Sequence, residues 1–304
     1  MIESRLSKVL RCISCQNSKL EFLHDKISCP KCNAKYPLKN NIPSMMIGGI
    51  EAQSWNPWNL DELKMTGNSY YQRAKGELPE KEASKSFANL LKKKQLYNKN
   101  STYLDIGCAT GHFLKPFRNI LDKHIQYTGI DISSEYLQWG DEIFGHDKYC
   151  NFVHCDTLNM PFIDKSFDYT VVNLFHFFPN LEDVLKETMR VTNKMIIWRT
   201  PIGVITYMIK WVLNEQSYEK LGSLQIERND IDHCLYMLYS KDYIKSIVSS
   251  LGGTVEFIER DTDFKDFDNT SIEAFKSIPS TKASNGIQMN GNLHLDWHYV
   301  GIKM

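Results

Sequence analysis

Beyond residue 80, most of the chain alternates between short apolar runs and segments whose apolar residues recur every three or four positions. Short apolar runs predict β-strands at 102–106, 125–131, 151–155, 167–173, 194–198, 254–259 and 294–303. Apolar residues three and four positions apart predict helices at 80–98, 112–121 and 135–144. Strands and helices therefore follow one another in turn.

Two further helices begin at recognisable cap residues. Asn180 precedes an apolar face and has Glu182 and Asp183 in its first turn, where acids favour the positive end of the helix dipole. Ser240 precedes a second such helix, which Gly252 ends. The residues of this second helix that we expect to face inward are Tyr243, Ile244, Ile247, Val248 and Leu251.

Three stretches interrupt this rhythm: 50–80, 200–239 and 261–292. The first carries Trp, Tyr, Asn and Gly without periodicity and is interpreted as an irregular linker. The other two are long insertions, which in such folds usually cover a site or move. Residues 202–213 are apolar nearly all round, which favours a helix that is buried, meets a partner chain in a homodimer or lines a channel for an apolar substrate.

Alternating strands and helices with short connections predict an α/β fold, with a mostly parallel, doubly wound sheet covered on both faces. We expect three regions: a small module at 1–48, a linker with N-terminal helices at 49–99, and a main domain at 100–304 with insertions near 200–239 and 261–292.

Composition and charge narrow the functional classes. The chain has 304 residues, with 36 Lys and Arg against 36 Asp and Glu, so no global field attracts it to nucleic acid or an anionic membrane. Residues 1–48 nevertheless carry a net charge of +5 and the remainder −5. The N-terminus lacks the apolar core of a signal peptide, and Arg199, Pro201 and Lys210 interrupt the most apolar window. We therefore expect a cytoplasmic protein without a membrane span.

Four cysteines in the basic N-terminal module have the spacing of a metal site. Cys12, Cys15, Cys29 and Cys32 form two C-x2-C pairs separated by thirteen residues. Each pair can direct two sulfurs to one point from a tight turn, and four thiolates are a ligand set that Zn²⁺ prefers. A redox C-x-x-C would need no second pair. The sequence predicts a structural zinc site, and a module that serves as a packing unit without substrate contacts stays an alternative.

The residues after the last cysteine resemble a known family. Tyr36-Pro37 and Ile42-Pro43 follow the second pair as they do in small zinc ribbons of the Trm112 type. The resemblance covers residues 10–48. It implies that the module is an activator or a fusion partner of a methyltransferase.

The ends of the first three predicted strands carry the candidate chemistry. Gly107 and Gly111 let the backbone turn sharply after the first strand, and Asp131 and Asp156 end the next two. A dinucleotide site would have glycine where Ala109 stands and would not need Asp105, whose charge would repel a pyrophosphate but suits an ammonium group. The pattern therefore favours a ligand that has an aminoacyl group and a nucleoside.

The combination resembles the class I S-adenosylmethionine-dependent methyltransferases, over about residues 68–304. DIGCATG, GID and CDTLNMPF correspond to the first three motifs of that family. The resemblance implies a seven-stranded Rossmann-like sheet, with methionine contacts in the first loop, ribose contacts at Asp131, adenine contacts at Asp156 and Thr157, and Asn173 beside the methyl group. The implied cofactor-binding set is Asp105, Gly107, Cys108, Ala109, Gly111, Asp131, Ile132, Asp156, Thr157 and Asn173. Two departures are Pro116, which would disturb the helix after the glycine loop, and Thr192-Asn193-Lys194 in place of the usual Gly-Gly.

The residue that would deprotonate an acceptor is open. His176 follows the fourth strand and could act as a general base or simply pack in its loop. His233, with Asp230 and Asp232, lies in an insertion that could close over the substrate. Arg199 could pair with an anionic substrate or form a salt bridge.

Together these features favour methyl transfer from S-adenosylmethionine to a small-molecule acceptor, at oxygen, with structural Zn²⁺ as a second cofactor. An rRNA guanine-type base methyltransferase is the alternative that the basic front end supports. A non-catalytic activator or binding protein that kept the fold is the third. The acidic body, without a basic stripe, argues against a nucleic-acid partner.

Overall fold

The computed structural model describes residues 6–46, 60–178, 180–212, 233–261, 281–284, 287–290, 293–294 and 296–304. The N-terminal module, residues 6–46, holds a short helix and a small antiparallel sheet. Its elements are α1 (Leu6–Val9), β1 (Glu21–Phe22), β2 (Lys26–Ser28), β3 (Lys35–Lys39) and β4 (Ile42–Pro43). The strands pair in the order β1-β2-β3-β4, and the cysteine pairs lie in the turns before β1 and β3.

The rest of the described chain is built around one large sheet. Its central strands are β5 (Thr102–Ile106), β6 (Gln126–Asp131), β7 (Cys150–His154), β8 (Phe167–Val172), β9 (Thr192–Gly203), β12 (Thr254–Arg260) and β16 (Trp297–Lys303). Two further strands join this sheet, β10 (Tyr207–Val212) and β11 (His233–Ser240), whereas β13 (Thr281–Ser284), β14 (Ile287–Asn290) and β15 (Leu293–His294) form a separate three-stranded sheet. The helices are α2 (Leu60–Lys75), α3 (Glu82–Lys93), α4 (Leu114–Ile120), α5 (Ser134–Phe144), α6 (Leu181–Val191) and α7 (Lys241–Ser250).

The central strands lie in the order β7-β6-β5-β8-β9-β16-β12. The first five are parallel, whereas β16 is antiparallel to both β9 and β12. The chain moves outward from β5 to β7 and then returns to β8, so the strand order reverses between β5 and β8. The expected doubly wound, seven-stranded sheet is confirmed. Ligands bind in such sheets at the carboxyl ends of the strands beside this reversal.

Both faces of the sheet are buried. Side chains of a strand alternate between its faces, and on β9 Ile196 and Trp198 belong to one apolar cluster while Ile197 belongs to the other. The first cluster includes residues of α6, α7 and the N-terminal module, and the second those of α3 and α4. The module is thus part of the core on one face.

Backbone hydrogen bonds attach the module to the main sheet. Arg11 N donates to Pro161 O, and Ile163 N donates to Val9 O, each at 2.8 Å. On the other side of the module, Met45 N donates to His154 O at 2.8 Å, at the end of β7. The module therefore extends the sheet beside its β7 edge.

Two sequence-based expectations are wrong. The stretch interpreted as an irregular linker contains the sixteen-residue helix α2. Residues 202–212, the described part of the apolar segment, form no helix: β9 ends at Gly203, and β10 pairs antiparallel with β11 from Tyr207↔Leu238 to Val212↔His233. The segment is rich in β-branched and aromatic residues, which suit a strand once a partner strand is present. Ile205 and Met208 are exposed, so this part of the segment is not a buried core element.

Smaller corrections concern the ends and faces of elements. Asn180 precedes α6, but its side chain makes no capping bond to the backbone and instead donates to Asp183 at 2.5 Å. Ser240 caps α7 as expected, while Tyr243 is 38% exposed and does not face inward. Helix α4 starts at Leu114, two residues later than expected, with Pro116 in its first turn. Among the described residues, no helix is long and apolar enough to cross a membrane.

Candidate functional site

The glycine-rich loop after β5 has left-handed backbone conformations at three positions. Gly107, Ala109 and Gly111 have φ angles of 70°, 49° and 72°, in the left-handed region that favours glycine. A Cβ atom at Gly107 would lie 1.6 Å from the Leu174 side chain. The amides of Gly107 and Cys108 both donate to Ile130 O, at 2.8 and 3.0 Å. The loop is therefore packed tightly against β6 and Leu174, and position 107 has no room for a side chain.

Asp131 holds this loop in place. One carboxylate oxygen accepts a hydrogen bond from Ala109 N at 2.8 Å and the other from Ser133 N at 2.9 Å. Burial raises the pKa of Asp131, and these backbone donors act in the opposite direction. Each oxygen keeps a second lone pair for a ligand hydroxyl. The next residue, Ile132, accepts at its carbonyl from His154 Nε2 at 3.0 Å.

Asp105 lies beneath the loop rather than at its surface. It is 4% exposed and accepts a hydrogen bond from the Tyr127 hydroxyl at 2.5 Å. Burial raises the pKa of this carboxyl to about 7. Cys108 is also buried, and burial raises the pKa of its thiol well above the ordinary value. The thiol is therefore a packing group and not a nucleophile.

Asp156 completes a row of carboxylates at the ends of β5, β6 and β7. It caps a 3-10 turn, Thr157–Asn159, by accepting from Leu158 N at 2.9 Å. Asp156 and Thr157 are both half-buried. Asp131 and Asp156 thus stand at the carboxyl ends of neighbouring strands, with Asp105 one strand further and deeper.

Helix α2, which the sequence did not predict, covers the glycine-rich loop. The Tyr70 ring stacks on His112 with centroids 4.5 Å apart and planes 3° from parallel. Burial, followed by Lys81 and Arg73, lowers the pKa of His112 well below its ordinary value. Tyr70 and Tyr71 are adjacent and give no helical period, and Gly67 and Asn68 before them favoured the interpretation as a linker.

Asn173 follows the end of β8, and Arg199 lies within β9 at the neighbouring position of the sheet. Val172 pairs with Ile106 on one side and with Trp198 on the other, so the residues that follow them are adjacent. Arg199 is fully buried and donates from a terminal nitrogen to Asn173 Oδ1 at 3.4 Å. Its Nε donates to Asp261 at 2.7 Å. The salt bridge considered from the sequence is therefore present, with a partner 62 residues away that spacing could not reveal.

The two candidate bases have different positions. His176 belongs to the 3-10 turn Phe175–Phe177 that follows Asn173, and it is 3% exposed. Burial and then Arg199 lower its pKa well below the ordinary value, so the imidazole is neutral. The backbone of His233 pairs with Val212 at the end of the β10–β11 hairpin, whereas Tyr239 and Ser240, at the other end, pair with β9. Asp230 and Asp232 lie outside the described residues.

The four predicted ligand cysteines converge. Their sulfur atoms all lie within 4.8 Å of one another, with 3.5 Å between Cys12 and Cys32 and between Cys15 and Cys29. A tetrahedral zinc with bonds of about 2.3 Å places sulfurs roughly 3.8 Å apart, so the cluster fits this ion. The Tyr36 hydroxyl lies 3.0 Å from Cys12 Sγ, and Asn17 Nδ2 donates to Cys29 Sγ at 3.5 Å. These contacts give the site the supporting polar groups that metal sites commonly have.

The comparisons with known proteins bear on the central part of the chain. Residues 104–195 match the family model described as a methyltransferase domain. The chain is 34% identical over 92 residues to a demethylmenaquinone methyltransferase of Staphylococcus haemolyticus, a match that spans 30% of this chain and 38% of that protein. A similar enzyme of Staphylococcus epidermidis is 32% identical over 94 residues.

The fold extends beyond that segment. A chain from the complex between the Haloferax volcanii Trm112 methyltransferase activator and a candidate methyltransferase aligns with a TM-score of 0.50 at 17% identity. The alignment covers 80% of this chain and 96% of that one. This likeness shows that the Rossmann-like methyltransferase fold extends over most of the chain. Residues 104–195 therefore carry a methyltransferase domain, set within this larger fold.

Proposed function

We propose that this protein transfers a methyl group from S-adenosylmethionine to an oxygen of a small-molecule acceptor. The observation that carries the proposal is the tight, left-handed loop from Gly107 to Gly111, which Asp131 holds at the reversal of the strand order. Such a loop lets a ligand approach the backbone, and the neighbouring carboxylates suit hydroxyl and amino groups.

The site residues fit this cofactor in order along the sheet edge. Gly107, Cys108, Ala109 and Gly111 would line the methionine part, with Asp105 beneath them. Asp131 and Ile132 would meet the ribose, because the Asp131 oxygens retain lone pairs beyond their backbone bonds. Asp156 and Thr157, half-buried one strand further, would meet the adenine, and Asn173 would lie near the methyl group. When bound, the cofactor supplies an electrophilic methyl carbon on a positively charged sulfur.

We further propose that the N-terminal module holds one structural zinc through Cys12, Cys15, Cys29 and Cys32. The sulfur separations suit a closed tetrahedral site, which leaves no ligand position for substrate. The module packs into the core and bonds to His154 and Pro161, so its folding supports the sheet edge beside β7.

A small acceptor agrees with the surroundings of Asn173. Buried aromatic side chains follow β8 (Phe175 and His176) and lie on β11 (Tyr236 and Tyr239), as in pockets where a few polar groups orient an apolar ligand. The demethylmenaquinone methyltransferase of Staphylococcus haemolyticus, to which the chain is similar over 92 residues, is named for a small-molecule substrate. His176 is the candidate general base on this side, and His233 remains a second prediction. We expect the protein to work in the cytoplasm.

Calorimetry and a transfer assay test the proposal. The full-length protein should bind S-adenosylhomocysteine and should not bind NAD. With labelled S-adenosylmethionine and fractionated cell extract, the label should enter the small-molecule fraction. Failure to bind S-adenosylhomocysteine would reject the methyltransferase function itself.

Label in the RNA fraction would favour the base-methyltransferase alternative instead. RNA binding through the basic module should weaken steeply with salt, since each neutralised phosphate adds to the slope. Replacing the exposed Lys31, Lys35 and Lys39 by Gln should then reduce both binding and that slope. We expect neither effect, because the rest of the chain carries a net charge of −5.

A further inference from the structure

Four aromatic residues form a cluster next to Asn173: His176, Phe177, Tyr236 and Trp297. The centroid of the His176 ring lies 4.2 Å from that of Phe177, 4.4 Å from that of Tyr236 and 5.3 Å from that of Trp297. These side chains come from the turn after β8, from β11 and from the start of β16. The fold thus brings three remote segments together at the carboxyl edge of the sheet, on the side away from Asp131.

The guanidinium of Arg199 is held against this aromatic cluster. It lies 4.1 Å from the centroid of the Trp297 ring, and Asp261 fixes it through Nε. The other Asp261 oxygen accepts from Ser86 Oγ at 2.5 Å, and Ser86 in turn accepts from the Tyr299 hydroxyl at 2.8 Å. The carboxylate of the ion pair is therefore turned to α3. A terminal nitrogen of Arg199 reaches Asn173, so the positive end of the pair faces the candidate site.

Arg199 also determines how Asn173 is oriented. A guanidinium has donors and no acceptor, so the Asn173 atom that faces it, at 3.4 Å, is the amide oxygen. The amide NH2 group then points away from Arg199. By strand register Asn173 lies between Gly107 and Arg199. A methyl donor seated on the glycine-rich loop and an acceptor seated beside Arg199 would therefore meet at Asn173.

Two buried polar atoms in the aromatic cluster have no hydrogen-bond partner within the described part of the chain. They are His176 Nδ1 and Trp297 Nε1, on side chains that are 3% and 2% exposed. An unpaired buried polar atom costs free energy, so each such atom calls for a partner, which can be a water, an ion or a bound ligand. One is an indole donor, and the other belongs to an imidazole that burial and Arg199 keep neutral by lowering its pKa. Both can hydrogen-bond to an oxygen.

We propose that Arg199, His176 and Trp297 form an acceptor subsite that selects a flat conjugated ring carrying an ionised oxygen, such as an enolate or a phenolate. The aromatic cluster offers ring faces for stacking, while the guanidinium and the indole N–H offer donors for a single negative oxygen. One buried cation suits one charge and not a polyanion. This inference rests on the proposed methyltransferase function and names its substrate class.

The charge of the acceptor simplifies the transfer step. A lone pair on the ionised oxygen forms the new bond to the methyl carbon while the carbon–sulfur bond breaks and its electron pair stays on sulfur. The sulfur loses its positive charge and the oxygen its negative charge, so no proton has to leave. In this scheme His176 positions the acceptor, and in-line placement supplies much of the rate.

Binding of two matched ring compounds tests the subsite. The probes are 4-hydroxycoumarin, which is an enolate near neutral pH, and coumarin, its uncharged parent. Calorimetry would use the full-length protein in the presence of S-adenosylhomocysteine. We expect the enolate to bind about 10- to 100-fold more tightly, as for hydrogen bonds to a charged group. Equal affinities in the wild type would overturn the inference.

Removal of the ion pair should abolish this preference. Arg199→Met combined with Asp261→Asn leaves no unpaired buried charge and keeps an acceptor for Ser86. We expect the two probes to bind this variant within about threefold of each other, measured with S-adenosylhomocysteine at a concentration that saturates the variant. Arg260→Met is the matched control, because Arg260 bonds to Asp296 through Nε at the surface. A preference that survives the double change would contradict the proposal.

A conservative variant keeps the test decisive if the double variant does not fold. Trp297→Phe retains a ring for Arg199 and loses the unpaired indole donor. It should weaken enolate binding about tenfold and leave coumarin binding unchanged. A uniform loss for both probes would assign Trp297 a packing role and contradict the proposal. Loss of S-adenosylhomocysteine binding by the wild type would instead reject the proposed function, so the two failures are distinguishable.

Discussion

The carboxyl edge of the sheet has two halves that are built differently. The half that we propose to bind the cofactor, called the cofactor half, lies at the ends of β5, β6 and β7. Asp131 and Asp156 there bond to backbone N–H groups a few residues away or in the next strand, and Asp105 bonds to the hydroxyl of Tyr127 in the next strand. The acceptor half, at the ends of β8, β9, β12 and β16, consists of buried side chains from distant segments. Asp131 bonds to Ser133, for example, whereas Arg199 depends on Asp261.

This difference suggests a division of labour. Backbone-built loops present a fixed set of donors and acceptors and suit a ligand that never changes, such as a cofactor. Side chains brought together by long-range packing can be exchanged without changing the loops, which suits a substrate that differs between related proteins. Conserving one half while varying the other would let the same fold methylate different acceptors.

Loss of the zinc site in the N-terminal module should have the largest effect of the changes considered, and it should destabilise the cofactor half more than the acceptor half. Replacing Cys29 by Ser leaves three thiolates, so the purified protein should lose its zinc and the module should loosen. The apparent binding energy of a structural zinc is about 10–16 kcal/mol, of which only part must be lost to unfold a module this small. Metal analysis and hydrogen exchange measure both consequences.

The positions at which hydrogen exchange increases show which half of the sheet edge the module supports. The module bonds to β7 in the cofactor half, so exchange should increase at residues 6–46 and at β7 more than at β12 and β16. Cys150→Ser serves as the control, because Cys150 lies in β7 and outside the four-cysteine cluster. Zinc-free wild-type protein with an ordered module would contradict the metal assignment.

Asp131→Ala should weaken ligand binding in the cofactor half and leave the selectivity of the acceptor half unchanged. The change removes an acceptor for ribose hydroxyls and the bonds to Ala109 and Ser133. We expect binding of S-adenosylhomocysteine to weaken by about 1.5–3 kcal/mol, as measured by calorimetry. The ratio of 4-hydroxycoumarin to coumarin binding should stay as in the wild type. Wild-type cofactor affinity in this variant would remove Asp131 from the site.

Stability measured at several pH values tests Asp105, one of the two buried aspartates at this edge. Asp261 is paired with the Arg199 guanidinium, whereas Asp105 accepts a hydrogen bond from the neutral Tyr127 hydroxyl. Burial raises the pKa of Asp105 to about 7. A raised carboxyl pKa stabilises the fold at low pH, and this contribution is lost as the pH rises through 7. Between pH 5 and 8 the wild type should lose about 1–3 kcal/mol of unfolding free energy relative to Asp105→Asn.

Urea unfolding at several pH values measures that difference. Asp242→Asn is a suitable control, since Asp242 is exposed in the first turn of α7. The difference between the Asp105 variant and the wild type should shrink toward acid pH, where both side chains are neutral. A difference that does not vary with pH would show that Asp105 is ionised in the folded protein throughout.

The same contrast explains what could be predicted from the sequence. Hydrophobic periodicity and turn residues located the ends of the predicted strands. The functional groups found there are the loop from Gly107 to Gly111, Asp131 and Asp156. The cysteine spacing likewise determined which sulfurs converge. In each case the interacting groups are near in sequence or at equivalent strand ends.

The acceptor half could not be found in this way. Ser86, Arg199, Asp261 and Trp297 are separated by up to 211 positions and meet only because β16 inserts between β9 and β12. The position of helix α2 over the glycine-rich loop could not be predicted, because it depends on the contact between Tyr70 and His112, which are distant in sequence. The segment 202–213 was misassigned because its apolar character fits a helix or a strand, and only pairing with β11 decides between them.

Helix caps give the smallest expected effect and show whether local sequence rules hold equally in both halves. Ser133 begins α5 in the cofactor half and accepts from Tyr136 N at 3.3 Å. Asn180 begins α6 in the acceptor half, where its side chain bonds to Asp183 and to no described backbone donor. Ser133→Ala should therefore cost about 1 kcal/mol of unfolding free energy and Asn180→Ala less than about 0.5 kcal/mol. Equal losses in urea titrations would mean that Asn180 caps its helix in solution, and that the acceptor half follows local rules more closely than its long-range contacts suggest.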